Sequence, residues 1–111
     1  MGFIEEFKIL LLNRANRVIG CYEVSSGGTC GTVADPKVIF AVALKCCATS
    51  IILAHNHPSG NLKPSQADIL LSQKLKAGGR LLEIEVLDHI ILSPEINSDK
   101  PYYSFADEGL M

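Results

Sequence analysis

The sequence predicts a single-domain α/β/α sandwich built on a mixed, largely antiparallel sheet. Three observations predict it. Short, dense apolar runs alternate with two stretches of helical periodicity. Both helical stretches open on capping chemistry, Asp35-Pro36 and Ser65. The first two strand candidates are separated by a four-residue polar connection, which favours an antiparallel hairpin.

The elements follow in order. Phe7 to Leu12 is an apolar run long enough for a buried strand. Asn13-Arg14-Ala15-Asn16 then turns the chain into a second strand from Arg17 to Val24. Ser25-Ser26-Gly27-Gly28 breaks that strand, with a short continuation from Thr29 to Val33. Asp35, as N-cap before Pro36, starts a helix that runs to about Ala48, with Val38, Ile39, Val42, Ala43 and Cys46 at helical spacing. Ser50 to Ala54 is a short, buried central strand, and residues 56 to 64 are loop chemistry. Ser65 caps a second helix with Ile69, Leu70 and Leu75 on its apolar side, ended by Gly78-Gly79. Leu82 to Leu87 and Ile90 to Leu92 are further strands joined through Asp88-His89. Pro94 to Pro101 is a polar loop, and Tyr102 to Phe105 a last short strand.

Composition narrows the class. At 111 residues with 48% hydrophobic and 20% charged side chains, the chain suits one globular domain. Aromatic content of 6% and no Trp point to an aliphatic core. A net charge of −2 lacks the basic footprint of a sequence-independent DNA binder. Lys63, Lys74, Lys76 and Arg80, around the single acid Asp68, suit a solvated helix face, so charge does not support direct nucleic-acid binding. No run approaches the ~20 apolar residues of a membrane helix, and no secretion signal opens the chain, so a cytoplasmic protein is expected. Cys21, Cys30, Cys46 and Cys47 show no CxxC spacing, which predicts buried or half-buried free thiols.

The chemistry converges on Ala54-His55-Asn56-His57-Pro58-Ser59-Gly60 and Pro64-Ser65-Gln66-Ala67-Asp68. His55 and His57 stand two apart at the end of an apolar strand, so period-two geometry turns both imidazoles to one side. Asp68 follows in the first turn of a helix. Two neutral imidazoles and one carboxylate leave a fourth tetrahedral position for water, as in catalytic zinc sites. From spacing alone the two histidines also suit ordinary solvated side chains, and Ser65-x-x-Asp68 is a capping sequence. Capping by Ser65 does not exclude metal ligation by Asp68.

His55-x-His57-x7-Ser65-x2-Asp68 resembles the signature of the JAMM metalloproteases of the JAB/MPN fold. The string His55-Asn56-His57-Pro58-Ser59-Gly60 is similar to the RadC branch of that family. So are Asp35-Pro36, Asp88-His89-Ile90-Ile91 and Tyr103-Ser104-Phe105-Ala106, so the likeness spans nearly the whole chain. The resemblance implies a cytidine-deaminase-like architecture and Zn2+ held by His55, His57 and Asp68. It implies that Ser65 steadies the metal-bound water or the oxyanion and that an upstream glutamate, matched here to Glu23, is the general base. Asp88-His89 either orients a ligand from behind or forms a plain turn, and Ser59 and Gly60 shape the loop under the metal. The implied reaction is hydrolysis of a peptide or isopeptide amide.

Full-length RadC-like proteins carry an N-terminal helix-hairpin-helix region that nothing here matches, so residues 1–111 are expected to be a stand-alone homologue or a C-terminal domain. The family's label of DNA repair leaves a second reading open, a non-catalytic zinc-stabilised binding module. A nucleobase deaminase would need His-x-Glu and Pro-Cys-x-x-Cys, and neither occurs.

Overall fold

Alternating burial along Glu6–Leu12 (β1) sends Phe7, Ile9 and Leu11 to one side of a sheet. The computed structural model describes residues 5–26, 34–57, 61–93 and 102–111. The remaining elements are β2 (Val18–Ser26), α1 (Pro36–Lys45), β3 (Ser50–Asn56), α2 (Gln66–Leu82), β4 (Glu85–Leu92) and β5 (Tyr102–Ser104). The strands lie in the order β2-β1-β3-β4-β5. Only the β3–β4 pair is parallel, so the sheet is mixed and largely antiparallel, as expected. At the first hairpin, Asn13 Oδ1 accepts the N–H groups of Ala15 and Arg17 at 2.9 and 3.1 Å, and Asn16 takes the left-handed conformation at φ 59°.

The β1–β3 register sets Phe7 opposite His55, Ile9 opposite Leu53 and Leu11 opposite Ile51. That row joins Ile39 and Ala43 of α1 and Leu75 of α2 in one core cluster. Full burial of each such aliphatic side chain contributes roughly 1.5–3 kcal/mol. A Cβ on Gly78 would stand 3.0 Å from the Phe40 ring, so α1 and α2 also touch each other. Among the described residues, a mixed five-stranded sheet with two helices packed on it is the α/β architecture the sequence predicts. No helix among those residues is long and apolar enough to cross a membrane.

Several boundaries differ from expectation. Strand β2 continues through Ser25 and Ser26, and β3 extends to include His55 and Asn56. Helix α1 ends at Lys45, so Cys46 becomes its C-cap and Cys47 follows at φ 54°. Both thiols, and that of Cys21, are therefore exposed and free rather than buried. Helix α2 passes through Gly78-Gly79, and Glu83 is its left-handed cap at φ 56°. The glycines serve packing: a Cβ on Gly79 would lie 2.3 Å from the Ile84 carbonyl oxygen. Leu75 is buried as expected, but Leu70 is exposed and Ser72 takes a buried place. Asp88-His89 is not a turn but the middle of one strand, β4, in which the extra residue Leu87 shifts the register between Val86 and Asp88. Asp88 accepts from Ser104 Oγ at 2.6 Å and from the Ala106 N–H at 3.0 Å, which pins the C-terminal turn. The predicted continuation over 29–33 and the loop over 94–101, with Cys30, Ser59 and Gly60, lie outside the described residues.

Candidate metal centre

The site forms where the C-terminal end of β3 meets the N-terminus of α2. His55 is the buried penultimate residue of β3, and His57 follows the strand end, held by its N–H on the Leu92 carbonyl at 3.1 Å. Their Nε2 atoms are 3.0 Å apart, as the two-residue spacing predicts. Asp68 enters from the first turn of α2, with one carboxylate oxygen 3.3 Å from His55 Nε2 and the other 3.3 Å from His57 Nε2. A reciprocal capping box aims it. Ser65 Oγ accepts the Asp68 N–H at 3.1 Å, and Asp68 Oδ2 accepts the Ser65 N–H at 2.8 Å.

The imidazoles are also held from behind. His57 Nδ1 lies 2.7 Å from the Asn61 carbonyl oxygen, which can only accept. The proton of neutral His57 therefore sits on Nδ1, and its Nε2 lone pair points at the cluster. His55 Nδ1 lies 2.9 Å from His89 Nε2. Glu5, just before β1, completes a third side: a carboxylate oxygen and the two histidine nitrogens all lie within 4.8 Å of one another. Glu5, His55 and His57 thus form a group able to hold a metal ion. The His55, His57 and Asp68 donors, 3.0–3.3 Å apart, fit one well, because tetrahedral coordination at about 2.0–2.1 Å spaces neighbouring ligand atoms by about 3.3 Å. A cavity of about 230 Å³ opens on the cluster, lined by Glu5, Phe7, Ala34, His55, Ala67, Asp68 and Leu71.

The family model for the RadC-like JAB domain matches residues 2–110. The chain belongs to that family. Its relatives include a UPF0758 protein of Flavobacterium johnsoniae, 45% identical over 96% of this chain and 44% of the relative. Another, of Porphyromonas gingivalis, is 44% identical over 96% of this chain and 45% of its own length. A UPF0758 protein of Thermosynechococcus vestitus is 47% identical over 79% of this chain and 35% of the relative. The chain therefore spans less than half the length of these curated relatives.

Within this RadC-like domain, the glutamate matched from sequence stands elsewhere. Glu23 pairs with Lys8 on β2, in the row of side chains opposite to that of Phe7, Ile9 and His55, and is exposed. The glutamate at the histidine pair is Glu5, which stands there beside Asp68. An acid directly before the strand that pairs with the His-x-His strand was the available signal, and the β1–β3 register that makes it meaningful is tertiary.

Charge and burial shape the electrostatics. His57 is held above its ordinary 6.5 by the hydrogen bond to Asp68, against desolvation. Burial raises Asp68, but hydrogen bonds from His55 and His57 outweigh it and hold the carboxyl well below the usual range. Burial, then the neighbouring His55, pushes His89 down to about 3. His89 is thus a neutral imidazole behind the histidine pair across physiological pH.

Proposed function

We propose that this RadC-like domain is a zinc-dependent metallopeptidase of the JAMM type, hydrolysing a peptide or isopeptide amide. The observation that carries the reading is the triangle of His55 Nε2, His57 Nε2 and the Asp68 carboxylate, with edges of 3.0, 3.3 and 3.3 Å. Two neutral imidazoles and a carboxylate suit zinc, and such a set leaves an open position. His55, His57 and Asp68 would hold the ion.

When bound, zinc supplies water made acidic enough to act as a nucleophile near neutral pH, and Lewis acidity toward a carbonyl oxygen. Glu5, beside both histidines at the cavity, accepts the water's proton and returns it to the leaving amine. Ser65 keeps Asp68 aimed through its cap, and its own hydroxyl proton remains to be donated to a developing oxyanion. Glu23, on the opposite row, has no part in the chemistry. The free exposed thiols suit a cytoplasmic setting, and the net charge of −2 suits a protein substrate better than a nucleic acid.

Metal analysis tests the reading first. Protein stripped and then titrated with zinc is expected to take up one ion per chain, with His57→Ala abolishing it. A wild-type protein that binds none overturns the reading.

A further inference from the structure

We propose that His89 and Ser72 are positioning residues of this metal centre, joined to His55 in a buried relay that fixes which of its nitrogens carries the proton. The inference rests on the metal reading above. The three side chains are nearly inaccessible, with His55 1%, His89 0% and Ser72 1% exposed. They form one line: His55 Nδ1 to His89 Nε2 at 2.9 Å, then His89 Nδ1 hydrogen-bonded to Ser72 Oγ. Both rings are clamped, His55 by stacking on Phe7 at 5.3 Å and His89 by stacking on Phe105 at 4.4 Å.

Ser72 lies four residues after Asp68 on α2, on the same helix face. The line therefore starts at one metal ligand and returns to the helix that carries another. No polar atom in it can be left unmatched without the cost of a buried, unsatisfied group.

Two proton orders satisfy the line with both imidazoles neutral. In one, His55 Nδ1–H donates to His89 Nε2, and His89 Nδ1–H donates to Ser72 Oγ. In the other, Ser72 Oγ–H donates to His89 Nδ1, His89 Nε2–H donates to His55 Nδ1, and His55 keeps its proton on Nε2. Both orders contain the same protons. Only the first leaves His55 Nε2 with a lone pair facing His57 and Asp68, so metal binding selects it. His89 then carries its proton on Nδ1.

Nitrogen-15 NMR of the zinc-loaded wild-type protein tests this directly. His89 is expected as the Nδ1–H tautomer; an Nε2–H tautomer there overturns the relay. Zinc competition titrations supply the second arm. His89→Phe, which keeps a stacking ring but no acceptor, is expected to weaken zinc roughly 10- to 100-fold. His89→Gln, which can accept from His55 and donate to Ser72, is expected to recover most of that loss. Equal zinc affinity in wild type and His89→Phe overturns the relay while leaving the metal reading intact. A wild-type protein that binds no zinc overturns both. If His89→Phe does not fold, the tautomer measured on wild type decides.

Discussion

Asn56 Oδ1 accepts the backbone N–H of Glu6 at 2.6 Å, a bond between residues fifty positions apart. It ties the start of β1 to the strand end that carries the histidine pair. Asn56 is itself 1% exposed, and its neighbour in the chain on either side is a proposed ligand. The residue it secures is adjacent to Glu5, so the bond helps set where that carboxylate stands relative to the histidine pair. Asn56→Ala is expected to cost about 0.5–1.5 kcal/mol in urea unfolding, the net worth of a hydrogen bond whose donor is half-buried. Zinc affinity should fall by less than in His57→Ala, because no ligand atom is removed. A variant as stable as wild type would show that the β1 terminus is held by other contacts.

Glu5 and Glu23 can be separated by paired substitutions. On a substrate that the loaded protein cleaves, Glu5→Gln is expected to reduce turnover by about 10²–10⁴-fold, the usual contribution of a positioned general base. Glu23→Gln should leave turnover within a few-fold of wild type, since its side chain is exposed and paired across from Lys8. The reverse ranking would return the base to β2.

What was legible in the chain was mostly local. The His-x-His parity at a strand end, the Asp35-Pro36 start and the Ser65–Asp68 box all act within a few residues, and each forms as read. Glu5 was not legible, because nothing nearby distinguishes it from Glu6 or Glu23; its place follows from pairing β1 with β3. Gly78-Gly79 misled for the opposite reason. Two glycines ordinarily stop a helix, but here the close Ile84 carbonyl requires Gly79 inside one, and the Phe40 ring packs on Gly78. Asp88-His89 looked like a turn because two polar residues rarely occupy a central strand. They do so here because Ser72, Ser104 and His55 satisfy them.

Ser65 is expected to act on stability and metal binding together. Its Oγ is the N-cap acceptor, and loss of such a cap costs about 0.5–2 kcal/mol. Ser65→Ala should show that loss in thermal unfolding, with modestly weakened zinc binding because the box keeps only the bond from the Ser65 N–H to the Asp68 carboxylate. Ser65→Thr keeps the hydroxyl and should recover both. Full stability in the alanine variant would remove the cap from the account of the site.

The two helix glycines differ in what they face, and this predicts unequal effects. At Gly79 an added Cβ meets the Ile84 carbonyl oxygen at 2.3 Å, a backbone atom that also accepts no relief from side-chain rotation. Gly79→Ala is expected to destabilise by about 1–3 kcal/mol, as overpacking does. At Gly78 the neighbour is the edge of the Phe40 ring at 3.0 Å, which a small tilt can move. Gly78→Ala should cost less, since alanine's better helix propensity offsets part of the clash. Equal denaturant midpoints for the two variants would contradict this.

The metal-free protein should be most stable near pH 6.5, and the sign follows group by group. His57 is raised above 6.5, so its contribution is full below 6.5 and is lost as pH climbs through its folded value. Asp68 is depressed, so its contribution holds above 3.8 and is lost only below that. His89 falls from 6.5 to about 3, so the folded state keeps it neutral where the unfolded chain binds a proton. Its contribution is full above 6.5 and drains as pH falls toward 3, at up to about 1.4 kcal/mol per pH unit. Between pH 6.5 and 4, His89 is thus the one of these three whose contribution changes. Urea unfolding in the presence of chelator from pH 4 to 8 should show the acid limb in wild type and a flatter limb in His89→Gln. Parallel acid limbs in the two proteins would mean that His89 is not the neutral buried imidazole on which His55 leans.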